Sequence, residues 1–244
     1  MKVNVLGEWG AYPAAGDATS SFLFEKDGFY LLVDCGSGVL SQLQKVIPLH
    51  RLNACILSHY HHDHKADVGS LQYGMLVQTQ LGNRTEPLPI YGHAKDAQQF
   101  ESLKMESYTT NVEINEDTTA KVGPFTITFC KTIHPVYCLA MKIQTGDHTI
   151  VYTADTGWYD GLAQFSAGAD LLISEASLYN QQLGKVNGHL TAGQTGELAK
   201  KANVRKLLMT HLPHYGDHQS LIGQAKEIYR GEIELAKGGM VIEI

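Results

Sequence analysis

His59-Tyr60-His61-His62-Asp63-His64 places four imidazoles and one carboxylate in six consecutive residues. The run follows Cys55-Ile56-Leu57-Ser58, whose apolar character predicts a strand, so these side chains leave a strand end and enter a loop. In extended backbone, positions i and i+2 point the same way. His59 and His61 can therefore grip one cation, and a turn after them can present Asp63 and His64 to a second. Imidazole and carboxylate donors suit zinc, with manganese or iron as alternatives. The competing reading is a histidine-rich surface loop.

Outward from this run, short apolar segments read as strands: Val3 to Leu6, Phe22 to Phe24, Phe29 to Val33, Ala54 to Leu57, Leu88 to Tyr91, Phe125 to Phe129, Leu139 to Ile143, Thr149 to Tyr152, Leu171 to Ile173, Lys206 to Met209 and Met240 to Ile244. Asp27-Gly28 and Thr145-Gly146-Asp147 are hairpin-turn signals. Val39, Leu40, Leu43, Val46 and Ile47 share one helical face. A helix is expected to open near Asp67, and another after Asp217 as N-cap, with Leu221, Ile222, Ala225, Ile228 and Tyr229 on one face. Thr191-Ala192-Gly193-Gln194 fits a capping box opening a helix through Ala202. Two sheets packed on each other with helices outside satisfy this order, as one domain over residues 1–244.

The chain has 244 residues, a net charge of −6 and 12 histidines. An acidic balance gives no global basic field and weakens a reading as a general nucleic-acid binder. The start, Met1-Lys2-Val3-Asn4-Val5-Leu6-Gly7, has no signal-peptide pattern, and no apolar stretch reaches membrane-spanning length. Cys35, Cys55, Cys130 and Cys138 form no CxxC and read as reduced thiols, so the cytoplasm is the expected location.

The histidine-rich run resembles the signature of the metallo-β-lactamase superfamily, and the resemblance extends along nearly the whole chain. Leu31-Leu32-Val33-Asp34-Cys35-Gly36 is similar to the family's strand ending in Asp-x-Gly, where the aspartate supports the ligands. His134 in Thr132-Ile133-His134-Pro135, Asp155 in Val151-Tyr152-Thr153-Ala154-Asp155 and His211 in Met209-Thr210-His211 are similar to the remaining ligands. The resemblance implies an α/β, four-layer αββα sandwich of two mixed sheets. It also implies two divalent metal ions, with His59, His61 and His134 on one, Asp63, His64 and His211 on the other, and Asp155 bridging. Tyr60 and His62 then support the ligands or face solvent. His93, His148, His214 and His218 receive no role.

Two further segments, Ile173-Ser174-Glu175-Ala176-Ser177 and Gly188-His189-Leu190-Thr191-Ala192, resemble the tRNase Z-type phosphodiesterase branch. That resemblance implies a catalytic set of Asp63, His189 and Glu175, in which the Glu175 carboxylate orients His189 to protonate a leaving alkoxide. Two features of that branch are missing. Only residues 135–154 separate His134 from Asp155, too few for the tRNA-gripping arm. Tyr12-Pro13-Ala14-Ala15-Gly16-Asp17-Ala18-Thr19-Ser20 holds no basic residue where those enzymes carry a basic loop. Both losses remove grip on a polyanionic backbone.

The expected function is therefore hydrolysis of a small nucleotide-like phosphodiester, without tRNA or membrane as partner; the resemblance suggests a homodimer. Trp9, Tyr12, Trp158, Tyr159, Tyr179 and Tyr215 are candidates for a substrate wall on which a base could stack. Alternatives are a thioester, lactone or β-lactam hydrolase of the same fold, a tRNA 3′-processing endonuclease, and a binding protein that kept the fold without catalysis.

Overall fold

The computed structural model describes every residue of the chain except Asp147, so the turn expected at Thr145-Gly146-Asp147 lies partly outside the described residues. The chain divides into two compact units. One comprises Met1–Asn115, Val122–Pro124 and Lys237–Glu243; the other comprises Glu116–Lys121, Phe125–Ala236 and Ile244.

The first sheet holds β1 (Lys2–Gly7), β2 (Ser21–Lys26), β3 (Phe29–Val33), β4 (Ala54–Ile56), β5 (Leu88–Gly92) and β6 (Thr109–Glu113). The second holds β7 (Thr119–Val122), β8 (Phe125–Lys131), β9 (Leu139–Thr145), β10 (His148–Tyr152), β11 (Leu171–Glu175), β12 (Lys206–Thr210) and β13 (Glu232–Leu235). A last strand, β14 (Val241–Glu243), returns to the first sheet beside β1. Each sheet thus has seven strands, in the orders β14-β1-β2-β3-β4-β5-β6 and β13-β12-β11-β10-β9-β8-β7.

Both sheets are mixed. In the first, β1, β2 and β3 are antiparallel, and β3, β4, β5 and β6 run parallel. In the second, β8, β9 and β10 are antiparallel, and β10, β11, β12 and β13 run parallel. Parallel neighbours need crossovers, and helices supply them. In the first unit these are α1 (Val39–Val46), α2 (His62–Lys65), α3 (Val68–Gln80) and α4 (Ala97–Glu101). In the second they are α5 (Asp160–Phe165), α6 (Ala192–Lys201) and α7 (His218–Lys226).

The longer helices are placed by their buried apolar residues. Val39 and Leu43 of α1 and Leu71 and Met75 of α3 join Leu32, Cys55 and Leu57 in one buried cluster. Leu198 and Ala199 of α6 and Leu221 and Ala225 of α7 join Val151, Leu172 and Leu207 in another. The capping box at Thr191 forms as expected, with Thr191 Oγ1 accepting from the Gln194 amide and Gln194 Oε1 accepting from the Thr191 amide. Asp217 caps α7 through the Gln219 amide. All four cysteines are free thiols. Among the described residues no helix is long and apolar enough to cross a membrane.

Three strands had no counterpart among the apolar runs, namely β6, β7 and β13, as did the short helices α4 and α5. The helix itself ends at Lys226, while Tyr229 still packs with Leu221 and Ala225 in the buried cluster and donates its hydroxyl to the Val204 carbonyl.

Candidate active site

In the first unit, Asp34 follows β3 and His59 follows β4, so both leave neighbouring parallel strands at their C-terminal ends. Clefts outside such ends are where α/β sheets place ligands. Asp34 takes a left-handed backbone, φ 61°, which turns its side chain sharply off the strand line. The fully buried carboxylate accepts from the Ser58 amide at 2.7 Å and the Ser58 hydroxyl at 2.9 Å. It also accepts from His64 Nδ1 at 2.8 Å.

With its Nδ1 proton given to Asp34, His64 turns a lone pair outward at Nε2, 3.5 Å from Asp63 Oδ2. The Ser58 hydroxyl donates to Asp34, so His59 Nδ1, 3.0 Å away, donates to Ser58 and leaves its own Nε2 as a lone pair. That Nε2 lies 3.1 Å from His61 Nδ1. Two nitrogens on one tetrahedral zinc, each about 2.0–2.1 Å from the metal, lie about 3.3 Å apart.

The run is not extended throughout. Extended backbone ends at His61, and His62–Lys65 form the single turn of α2, which brings the His64 ring to 4.1 Å from that of His59. The Ala11 amide, on another left-handed residue, donates to Asp63 Oδ2 at 2.9 Å. Gly36 makes room for this turn: a Cβ there would lie 1.8 Å from the Asp63 carbonyl oxygen. His62 is exposed, while Tyr60 is half-buried and donates its hydroxyl to the His93 carbonyl at 2.8 Å.

In the second unit, Asp155, Glu175 and His211 come from the C-terminal ends of β10, β11 and β12, three adjacent parallel strands. His134 lies in the connection from β8 to β9, at the same edge because β9 is antiparallel to β10. Ala154 and His211 again have positive φ, 50° and 54°. His211 Nε2 lies 3.4 Å and His134 Nε2 3.8 Å from Asp155 Oδ2, so two imidazoles converge on one carboxylate oxygen. His134 Nδ1 donates to the Gly188 carbonyl at 3.0 Å, which fixes its lone pair at Nε2. Burial lowers the His134 pKa from its ordinary value, against the opposing pull of Asp155, and so favours the neutral, ligating ring.

Glu175 is buried and saturated. Its Oε1 accepts from the Thr156 amide at 2.8 Å and from His189 Nδ1 at 3.0 Å. Its Oε2 accepts from the Ser177 hydroxyl at 2.5 Å and the Leu190 amide at 3.2 Å. His189 is partly exposed, and its ring stacks 5.5 Å from that of His211. Ser177 is a functional residue that the sequence reading missed. Its oxygen lies 2.8 Å from His211 Nδ1, so His211 donates to Ser177 and Ser177 donates to Glu175. Its only signal was its place two residues after Glu175.

These donors fit divalent metal ions. His59, His64, His134 and His211 each spend Nδ1 on a hydrogen-bond acceptor and turn Nε2 toward other ligand atoms, the pattern that fixes tautomer and ring orientation in metal sites.

The aromatic candidates disperse. Trp158 lines a cavity beside His189, and Tyr179 and Tyr215 line a separate one. Trp9 donates to Asp17, Tyr159 donates to the Lys131 carbonyl, and Tyr12 is exposed. Of the histidines without a role, His218 bonds the Pro213 carbonyl through Nε2 and His148 faces Asp170 at 4.0 Å.

Residues 30–212 match the model of the beta-lactamase superfamily domain. The chain is 49% identical over 243 residues to the probable metallo-hydrolase YhfI of Bacillus subtilis (strain 168), with all of both chains covered. The crystal structure of that metallo-β-lactamase fold protein superposes with a TM-score of 0.97, covering 99% of this chain and 98% of the other. A ribonuclease Z of Haloferax volcanii is 24% identical over 306 residues, covering 100% of this chain and 95% of that one. With its two mixed seven-stranded sheets, its flanking helices and its histidine and aspartate clusters at the strand ends, the chain belongs to the metallo-β-lactamase superfamily and is a metallo-hydrolase of it.

Proposed function

We propose that this metallo-hydrolase is a phosphodiesterase for small nucleotide-like diesters, in which His189 protonates the leaving oxygen. The observation that carries the reading is the Glu175–His189 pair. A buried carboxylate holds Nδ1 of a partly exposed imidazole at 3.0 Å, beside a metal-ligand histidine. In this reading His59, His61 and His134 hold one divalent ion, Asp63, His64 and His211 the other, and Asp155 bridges. Zinc suits the set. Bound there, the ions would acidify a water and neutralise the phosphate oxygens.

The chain's own residues supply the rest. As the bond from phosphorus to the leaving oxygen breaks, His189 Nε2 passes a proton to that oxygen. The imidazolium is stabilised beforehand by Glu175. A proton from the attacking water restores the acid afterwards. Hydrolysis of a thioester has less need of such a pair, because a thiolate departs without a proton.

Small substrates rather than tRNA are supported by the short path from His134 to Asp155. It is occupied by β9, β10 and brief connections, with no arm. The Haloferax volcanii relative is named a ribonuclease, and ribonucleases cut phosphodiesters.

The test is a substrate panel on metal-analysed protein: bis(p-nitrophenyl) phosphate, cyclic nucleotides, a precursor tRNA, a thioester and a lactone. Diesters should turn over while the carbonyl substrates and the tRNA do not. His189→Ala should cost about 10²–10⁴-fold on a diester that expels a sugar alkoxide. The loss should be smaller on the nitrophenyl diester, whose leaving group needs no proton. An unchanged rate on both diesters, with metal content intact, overturns the assignment.

A further inference from the structure

The cavity beside His189 is not used by any step above. It encloses about 350 Å³, at the small end of ligand sites. Ile133, Trp158, Leu183 and Val186 form its walls, and Asn187 stands at its rim. Three of these apolar residues, Ile133, Leu183 and Val186, are exposed at 52%, 62% and 44%. Large apolar side chains gathered at one opening mark a contact surface.

None of the described lining residues carries a fixed charge. Lys201, 4.8 Å from the Trp158 ring centre, is paired with Glu197 at 3.1 Å and Asp160 at 3.3 Å. The cavity walls are shaped before any ligand arrives. Asn180 accepts from the Gly193 amide, the Leu183 and Lys185 amides donate back into the preceding turn, and Gly157 donates to Ile133.

We infer that this cavity receives the leaving group of the diester and selects a flat, largely apolar body of about the size of one nucleoside. The inference rests on His189 as the acid. His189 is itself part of the cavity lining, so the space adjoins the residue that protonates the leaving oxygen. An apolar wall containing an indole takes a ring by burial and stacking.

Adenosine is the probe, with zinc-loaded protein in a Trp9→Phe background, so that Trp158 fluorescence alone reports. Adenosine should quench Trp158 saturably. The double variant Leu183→Ser, Val186→Ser adds no charge and alters exposed positions. It should weaken adenosine binding about tenfold and raise KM for bis(p-nitrophenyl) phosphate by a similar factor, while inorganic phosphate inhibits as before. Adenosine binding sensitive to the double variant, in a protein that cleaves no phosphodiester, would keep the cavity and sink the phosphodiesterase reading. Active protein in which adenosine fails to saturate, or in which both KM and adenosine binding ignore the double variant, overturns the inference.

Discussion

At the scale of single residues, the economy of Glu175 stands out. One carboxylate orients His189 directly and His211 through the Ser177 hydroxyl. In the proposed mechanism the proton donor and a metal ligand are therefore tied to the same buried anchor. Ser177→Ala removes the acceptor for His211 Nδ1, and loss of such an outer partner typically costs 10–100-fold in metal affinity. Competitive metal titration should show a loss of about that size, and Ser177→Thr, which keeps the hydroxyl, should recover most of it. Equal affinity in the alanine variant would mean that His211 needs no such support.

At the scale of elements, the short connections after the strands do the positioning. The turn after β3 passes so close to α2 that Gly36 has no space for a Cβ. Gly36→Ala should displace the Asp63 backbone. Both thermal stability and metal content should fall, read by calorimetry and metal analysis; a variant with full metal content would count against this packing. The end of β1 carries a different strain. Glu8 is buried and accepts from the Gly238 amide, and burial raises its pKa to about 7, opposed by that amide and reinforced by Asp17. The folded state thus holds this proton more tightly than the unfolded chain does. Stability from this group is full at low pH and declines as pH rises from about 4.5 to about 7. Glu8→Gln keeps an acceptor for Gly238 and has no charge to bury. Its melting temperature should exceed that of the parent above pH 7 and match it near pH 4; the reverse order would refute the burial argument.

At the scale of the whole molecule, metal binding and stability should be linked. Free metal at a thousand times Kd adds about 4 kcal/mol per site, and each kcal/mol moves the melting temperature of a chain this long by about 2–4 °C. Chelation should therefore lower Tm by about 8–16 °C or more, reversibly on adding zinc. A melting curve indifferent to chelator would argue against ions held by these ligands. The strands hidden from the sequence share a position. β6, β7 and β13 each end a sheet order, and edge strands need only half the apolar cover of interior ones. Thr109-Thr110-Asn111-Val112-Glu113 and Glu232-Ile233-Glu234-Leu235 are accordingly mostly polar or alternating. Interior strands such as Leu171–Glu175, buried at every position, were legible as continuous apolar runs.

Donor type and spacing by themselves singled out the histidines and aspartate of the His59–His64 run, whereas Asp34, His134, Asp155, Glu175, His189 and His211 entered through resemblance to a known family's motifs. Donor type and local spacing are properties of contiguous residues, and those survive any folding. Only the tertiary structure decided what each imidazole leans on and what surrounds His189. His134 is held by a carbonyl 54 positions away, and His211 by a hydroxyl 34 away. Strand pairing and loop packing set such partnerships, and no local pattern along the chain encodes them.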